Sequence, residues 1–301
     1  KNDYIVIINF KFYHFMMDQQ IINLYDEYTH KPLSRSVFLK RLALYTGSMA
    51  AALSILPMLE SNKATAANIT PFDDELFIES IQYAGEQCQM QAYVARPKKA
   101  SKYPTVIVIH ENRGLTPHIE DVARRVAKAG YLAIAPNALA ALGTLPANED
   151  EARTMFTKLD ANQTNQNFIK AFEYAKTRKD SNGKFACVGF CWGGAMANTL
   201  AVNMPDLKAA VAYYGRQPKA EDVPKIKATV QLHYASLDTR VNEGIAAYEA
   251  ALIKHKINYE LFMYEGVNHA FHNDTSAARY NEAAAKLSWE RTLGLFKKTV
   301  G

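Results

Sequence analysis

The sequence predicts an α/β fold, in which a mostly parallel sheet of about eight strands is flanked by helices. First, apolar strand-like runs alternate with helical periodicities from about Leu76 onwards. Second, runs such as TVIVIH are continuously apolar and β-branched, which is typical of strands covered on both faces. Third, 301 residues with 49% hydrophobic and 22% charged side chains are enough to bury one large core.

The first half of this domain reads as a strand pair followed by a strand–helix–strand unit. The segment LFIESIQYAGEQCQMQAYVARP alternates polar and apolar positions on both sides of Gly85, which favours two joined strands. TVIVIH is the next strand. HIEDVARRVAKAG has apolar residues at spacings of three and four, and its last glycine suits a helix end. YLAIAP is then a strand, and two helical stretches follow, NEDEARTMFTKLD and NQNFIKAFEYAKTR.

The second half repeats the alternation. KFACVGF, AAVAYYG, ATVQLHYA and NYELFMYEG are predicted strands, and VNEGIAAYEAALIKH is a predicted helix. A helix is expected from Cys191 to Val202, and a closing helix from Ser276 to Lys298. The closing helix is expected to bury four residues, Ala283, Leu287, Leu293 and Phe296.

Residues 1–69 are predicted to form an N-terminal extension, and residues 70–301 the α/β domain. Basic SRSVFLKR precedes an apolar, uncharged run at 42–59, and small residues at 64–67 suit a cleavage site. The basic segment resembles the twin-arginine export pattern, with Ser36 in place of the second arginine. This predicts export to the periplasm. The alternatives are an uncleaved membrane anchor, or a helix packed on a cytoplasmic domain. Met17 is a more natural start than Lys1, so residues 1–16 are expected to lie outside the functional protein.

Composition and charge narrow the possible partners. The formal net charge of +5 comes from scattered lysines and arginines, which does not indicate a nucleic-acid surface. Three cysteines cannot form a disulfide framework, and no Cys/His cluster has the spacing of metal ligands. A small-molecule substrate is therefore expected, with no metal or organic cofactor. Membrane contact is expected only through an uncleaved N-terminal segment, and the sequence leaves the oligomeric state open.

Three residues with catalytic potential follow predicted strands. Cys191 follows ACVGF, Asp238 follows VQLHYASL, and His269 follows LFMYEGVN. Functional groups in parallel α/β sheets gather at the carboxyl ends of the strands. The order nucleophile, acid, histidine is that of the α/β-hydrolase fold, and GFCWG matches its G-x-nucleophile-x-G turn. Bulky residues beside the nucleophile would clash there, so glycines are needed at 189 and 193.

This arrangement suits nucleophilic catalysis by a thiol. The start of a helix and a neighbouring imidazole both favour thiolate over thiol. His269 would take or share the thiol proton and then activate water, while Asp238 orients the imidazole. The backbone N–H of Trp192 would donate to an oxyanion. Singly, each residue has a structural explanation: a buried cysteine, a turn aspartate, a loop histidine. Cys88 and Cys187 are interpreted in that way, and the rival histidines are His110, His233, His255 and His272.

The segments HENRGL, GFCWGG, YASLDTRV and EGVNHAFHN together resemble the dienelactone hydrolase family, over roughly residues 77–300. The resemblance implies an α/β-hydrolase that cleaves dienelactones (carboxymethylenebutenolides) with a Cys-Asp-His triad, here Cys191, Asp238 and His269. It also implies that Glu111 takes part in forming the thiolate, and that the N–H of Asn112 is the second oxyanion donor.

The chain departs from this family where two arginines of well-known members hold the substrate carboxylate. After His269 it reads AFHND, with His272 and Asn273 where a cation is expected, and Arg279 lies further on. The candidate substrate-binding residues are Arg153, as a match for one of those arginines, and Arg113 and Arg216, which follow predicted strands in loops. Each could bind an anion, and the alternative for each is a solvated surface arginine. An esterase that acts on a substrate other than a dienelactone therefore stays open.

Three other interpretations of the same residues are a glutamine amidotransferase, a redox pair and a binding protein. A glutamine amidotransferase carries Glu two residues after its histidine, whereas Phe271 stands there. A redox pair of Cys187 and Cys191 is geometrically awkward, because a strand would direct Cys187 into the sheet packing. A non-catalytic binding protein on the same fold is the third. The sequence thus predicts a dienelactone hydrolase-like carboxylic ester hydrolase.

Overall fold

The computed structural model describes residues 18–31, 33–60 and 68–301. Residues 1–16 and the predicted cleavage site at 64–67 lie outside the described residues. The chain divides between Glu60 and Ser61 into two compact units, which are described separately.

The described residues of the first unit form three helices, α1 (Gln19–His30), α2 (Arg35–Thr46) and α3 (Met49–Leu59). The apolar run at 42–59 does not form one helix, because Gly47 ends α2 in a left-handed conformation with φ of 82°. Within the described residues, no single helix is long and apolar enough to cross a membrane. The pair α2 and α3 passes that criterion together, on length and composition, but the two helices are bent by 109°.

The second unit is built on an eight-stranded sheet in the order β1-β2-β4-β3-β5-β6-β7-β8. β2 runs antiparallel to β1 and β4, and the other pairs are parallel. The strand bounds are β1 Leu76–Ala84, β2 Gln89–Pro97, β3 Tyr103–Ile109, β4 Leu132–Asn137, β5 Ser181–Phe190, β6 Ala209–Tyr213, β7 Thr229–Ala235 and β8 Tyr259–Tyr264. The predicted fold class, a mostly parallel sheet of about eight strands, is confirmed.

Helices cover both faces of this sheet, as continuous apolar strands require. Two of them pack on one face and three on the other, so that alternate residues of β3, β5 and β6 enter two separate cores. The first pair is α4 (Pro117–Lys128) and α10 (Glu282–Thr299), and the other three are α6 (Ala161–Thr177), α7 (Trp192–Asn203) and α9 (Ile245–Lys254). Two further helices, α5 (Glu149–Phe156) and α8 (Thr239–Asn242), lie in connections near the carboxyl ends of the strands.

Four predicted helices differ from the observed ones by more than two residues. α5 ends at Phe156 and not at Asp160, and α6 begins at Ala161 and not at Asn165. The predicted helix VNEGIAAYEAALIKH is split into α8 and α9 at Gly244, against which the side chain of Gln217 is packed. The closing helix begins at Glu282 and not at Ser276, because the side chain of Asn281 caps it. Its buried face is also rotated from the expected one, with Phe296 buried but Leu287 42% exposed.

Candidate active site

Cys191 stands at a sharp turn between β5 and α7. It is the N-cap of α7 and has φ of 56° and ψ of −113°, a conformation that residues with a side chain rarely adopt. Its backbone N–H donates to the Tyr213 carbonyl at 3.0 Å, which fastens the turn to β6. The turn therefore presents the sulfur at the first turn of a helix, where the helix dipole favours a negative charge.

The two glycines of this turn are needed for close packing. A Cβ on Gly189 would lie 1.9 Å from the carbonyl oxygen of Gly193. A Cβ on Gly193 would lie 2.3 Å from the carbonyl oxygen of Ile109 and 2.5 Å from that of His110. The missing side chains thus let α7 begin directly against the end of β3.

The predicted acid and histidine meet beside this turn. Nδ1 of His269 donates to Oδ2 of Asp238 at 2.5 Å, and both side chains are at most 4% exposed. The other carboxylate oxygen of Asp238 accepts from the Val241 N–H, so the carboxylate is also the cap of α8. Sγ of Cys191 and a ring nitrogen of His269 lie within 4.8 Å of each other. The structure therefore brings together the three residues from distant segments.

Glu111 is held by the loop that carries the histidine. It comes two residues after the end of β3, and its Oε2 accepts a 2.7 Å hydrogen bond from the side-chain amide of Asn273. Oδ1 of Asn273 accepts from both the N–H and the hydroxyl of Thr275, which fixes the orientation of the amide. At a position where the family resemblance implies a cation, this chain thus has a neutral hydrogen-bond donor to Glu111.

Tyr214 forms part of the wall of the site. Its ring centroid lies 4.9 Å from that of His269, and its backbone φ is 39°. Burial, the charge of Glu111 and that of Cys191 raise the pKa of this phenol well above its ordinary value. In the described part of the chain, no group forms a hydrogen bond with the buried hydroxyl. A polar tip therefore lies close to both Glu111 and Cys191.

This chain also matches a known family and several known proteins. The model of the dienelactone hydrolase family matches residues 90–300. The chain belongs to the dienelactone hydrolase family. Two dienelactone hydrolase relatives provisionally named carboxymethylenebutenolidase come from Saccharolobus solfataricus and Salmonella typhi. The first is 30% identical and the alignment covers 73% of this chain and 98% of the relative. The second is 33% identical, with coverages of 74% and 87%.

A solved structure extends the similarity to three dimensions. A provisionally named dienelactone hydrolase from Klebsiella pneumoniae superposes with a TM-score of 0.68 at 29% identity. The match covers 74% of this chain and 99% of the Klebsiella chain. The predicted resemblance to the dienelactone hydrolase family is confirmed, and with it membership of a hydrolase family of the α/β-hydrolase fold.

The three candidate substrate-binding arginines have different surroundings in this member of the dienelactone hydrolase family. Arg113 donates to the side-chain oxygen of Asn112 at 2.8 Å. Arg153 lies on α5 and forms an ion pair with Asp150 at 3.7 Å. Phe156, one turn later on α5, packs edge-to-face on Trp192 with centroids 5.0 Å apart, so this helix borders the turn. Arg216 is exposed, two residues after Tyr214.

The other cysteines and histidines have structural surroundings. Cys187 is fully buried in the core, and burial raises the pKa of its thiol. All three cysteines lie in the described residues, and none of them forms a disulfide. His233 is bonded to Tyr264 and Gln231, and His255 is exposed. His110 lies next to Trp192, and His272 is buried beside Phe190.

Sequence reasoning assigns no functional role to Tyr214, and it identifies Asn273 only as a position that lacks a cation. The signal for Tyr214 was its place directly after a strand, at the same edge of the sheet as the three predicted residues. For Asn273, the signal was its position four residues after His269. Neither signal is specific without the structure, because many loop residues share it.

Proposed function

We propose that this protein hydrolyses an ester or lactone through a thioester formed on Cys191. One observation carries the proposal: a cysteine in a strained turn at a helix start, with its Sγ within 4.8 Å of a His269 ring nitrogen. That histidine is in turn oriented by Asp238. A nucleophile, a base and a group that orients the base are the components of acyl transfer.

In the first half-reaction, the thiolate of Cys191 attacks the acyl carbonyl carbon and forms a C–S bond. The carbonyl π electrons move to oxygen, and the N–H groups of Trp192 and Asn112 stabilise that oxyanion. When the carbonyl re-forms, the bond to the alkoxy or enol oxygen breaks. The leaving oxygen takes a proton from the His269 imidazolium, whose charge Asp238 stabilises.

In the second half-reaction, His269 removes a proton from water, and the resulting hydroxide attacks the thioester carbonyl. The same two N–H groups stabilise the second oxyanion. The C–S bond then breaks, the carboxylic acid leaves, and Cys191 is regenerated. The protein supplies both proton transfers from its own side chains, so the proposed reaction uses no added cofactor.

Glu111 assists the formation of the thiolate in this proposal. Its support is the family resemblance, together with the effect of Glu111 and Cys191 on the pKa of the same Tyr214 phenol, near which both groups lie. A Glu111→Gln variant should retain the fold but lower turnover about tenfold or more, because an amide cannot take the thiol proton and pass it to His269, which needs it to protonate the leaving oxygen. An unchanged rate would remove Glu111 from the mechanism.

The experiment that tests the function is a turnover screen of dienelactones against simple aryl esters. Wild-type protein should hydrolyse at least one of these classes, and Cys191→Ala should reduce the rate by about a thousandfold. Cys88→Ser is the matched control, because it removes a thiol outside the site and should leave turnover unchanged. Equal rates for wild type and Cys191→Ala would refute the proposal. Absence of both turnover and Cys191 alkylation in wild type would favour a binding protein.

The screen also decides the class of substrate. Preference for dienelactones would indicate that Arg113, Arg153 or Arg216 binds the substrate carboxylate, and substitution of that arginine should then raise KM with little change in kcat. Preference for uncharged aryl esters would indicate a general thiol esterase. The neutral Asn273 that faces Glu111 supports the second outcome, because it adds no positive charge at that point.

Export to the periplasm is proposed for the N-terminal segment. The proposal is supported by the basic residues before the apolar run at 42–59. Mass spectrometry of the protein recovered from its native host tests it. An N-terminus within the segment after residue 59, in a periplasmic fraction, is the expected result, and an intact N-terminus in the cytoplasmic fraction would contradict it.

A further inference from the structure

His110 is fully buried directly after β3 and makes two hydrogen bonds to the backbone. Its Nδ1 lies 2.6 Å from the carbonyl oxygen of Glu111, and its Nε2 lies 3.0 Å from the N–H nitrogen of Ala138. A carbonyl oxygen can only accept, and an amide N–H can only donate. Nδ1 must therefore carry the proton and Nε2 must be unprotonated, so both ring nitrogens are satisfied in a single neutral tautomer.

The bond to Glu111 also fixes the direction of the next N–H group. The carbonyl of Glu111 and the N–H of Asn112 belong to one planar peptide unit, which is trans and therefore points them in opposite directions. Because the His110 ring fixes the Glu111 carbonyl on one side of this peptide unit, it also sets the direction of the Asn112 N–H on the other side. An oxyanion donor needs such fixing before the reaction, because its stabilisation depends on being aligned without reorganisation.

The ring itself is clamped by the turn that carries the nucleophile. It stacks on the indole of Trp192, with centroids 5.4 Å apart and planes 14° apart, and Phe156 packs against its edge. The backbone of Gly193 approaches the carbonyls of Ile109 and His110, where a Cβ would collide. The loop after β3 is therefore packed tightly against the start of α7, and the two segments are fixed relative to each other.

We infer that His110 is a positioning residue that aims the Asn112 N–H at the oxyanion, and that it exchanges no proton with the substrate. The inference rests on the function proposed above, and it gives a role to a histidine that the triad leaves unused. Its ring links the two proposed oxyanion donors, since it bonds to the peptide of Asn112 and stacks on the side chain of Trp192.

The charge state of His110 agrees with this role. Burial lowers the pKa of the imidazole to about 4, so the ring is neutral at pH 7. The hydrogen bond to the Glu111 carbonyl and the charge of the Glu111 carboxylate both oppose this shift of the pKa. A proton on Nε2 would also confront the Ala138 N–H, which already points at that nitrogen. The ring thus acts as a fixed donor at neutral pH.

Two amide substitutions separate the two bonds of His110. The Nδ2 of Asn can replace Nδ1 of His, so His110→Asn keeps a donor for the Glu111 carbonyl. The amide of Gln reaches the position of Nε2, so His110→Gln keeps an acceptor for Ala138 and loses the other bond. We expect kcat for an ester to fall about 10- to 100-fold in His110→Gln and less than about fivefold in His110→Asn, with KM nearly unchanged in both.

Alkylation of Cys191 by iodoacetamide separates a positioning role of His110 from a merely structural one. If the role were merely structural, the substitutions would lower the alkylation rate together with turnover. Displacement of iodide at carbon develops no oxyanion, so both variants should alkylate at the wild-type rate. Equal losses of kcat in the two variants, unchanged kcat in His110→Gln, or alkylation that falls in step with turnover would each overturn the inference. If the wild-type protein shows no turnover that depends on Cys191, the proposed function itself is refuted. This result differs from those that overturn only the role of His110.

A measurement on the unaltered protein covers the case in which the variants do not fold. Nitrogen-15 NMR of labelled histidine should show His110 as the neutral tautomer with its proton on Nδ1. A proton on Nε2, or a charged ring at pH 7, would contradict the inference.

Discussion

The side-chain amide of Asn273 donates a 2.7 Å hydrogen bond to the carboxylate of Glu111, across 162 positions of the chain. Thr275 fixes the amide by donating to its oxygen twice. The loop after His269 is thereby connected to the loop after β3, and a neutral group holds the carboxylate. Glu111 is proposed to act on the thiol. Because of this contact, the position of its carboxylate depends on the loop that follows His269.

An Asn273→Asp variant should lower turnover about tenfold or more at pH 7. Two facing carboxylates cannot both ionise easily, so one of the pair binds a proton at higher pH than usual, and the acidic limb of the kcat/KM profile should move to higher pH. Asn182→Asp adds the same charge at the opposite end of β5 and is the control. A profile for Asn273→Asp that overlays the wild type would show that Glu111 and Asn273 do not act together.

The three cysteines should differ in their reaction with iodoacetamide. Cys191 should alkylate about tenfold faster than Cys88 or Cys187, because it lies at a helix start beside an imidazole. Cys187 is fully buried and its pKa is raised, so it should be the slowest in the folded protein. Mass spectrometry of tryptic peptides over a time course measures the three rates. Similar rates at all three positions would count against a catalytic cysteine.

Gly189→Ala should destabilise the protein by about 1 to 3 kcal/mol, since the new Cβ overlaps the Gly193 carbonyl. Gly294→Ala is the matched control, because nothing lies within 4 Å of its Cβ position on α10. That variant should gain about 0.5 to 1 kcal/mol from helix propensity. Urea denaturation gives both free energies of unfolding. A neutral Gly189→Ala would show that the turn can relax and is not tightly packed.

Stability should fall as the pH drops below about 7. Burial lowers the pKa of His110 to about 4 and that of His233 to about 3, and it holds that of His272 well below its ordinary value. Between the ordinary pKa near 6.5 and these lowered values, the unfolded chain binds protons that the folded protein does not. Each group then reduces the free energy of unfolding by up to about 1.4 kcal/mol per pH unit, and the loss ceases below its folded pKa.

Urea denaturation at pH 7, 6 and 5 measures this slope. His233→Gln should lower this slope by up to about 1.4 kcal/mol per pH unit, whatever the variant's stability at pH 7. His255→Gln removes an exposed histidine and serves as the control. A free energy of unfolding that is constant from pH 7 to 5 would contradict the expectation that buried histidines remain neutral.

The features that could be predicted from the sequence are those set by local chemistry. The turn at Cys191 was predictable, because its two flanking glycines are required within five residues of chain. The strands were predictable because burial on both faces demands continuous apolar runs. The position of His269 was expected from its place after a strand.

The contacts that could not be predicted depend on how separate segments meet. Nothing near Asn273 in the chain indicates Glu111, and nothing near His110 indicates Ala138. The rotated face of α10 has a similar cause: it buries the polar Thr292, whose hydroxyl lies 2.7 Å from that of Tyr213. Hydrophobicity alone could not identify a buried threonine whose partner comes from another strand.

The chain has two tryptophans, and each of them packs against a buried imidazole. Trp192 lies on His110 and Trp289 lies near His272, with ring centroids 5.4 and 5.6 Å apart. A protonated imidazole withdraws electrons from an excited indole more strongly than a neutral one. The intrinsic tryptophan fluorescence should therefore stay bright near neutral pH and dim when the two buried imidazoles become protonated. An optical signal that needs no added dye thus reports when protons reach these buried rings.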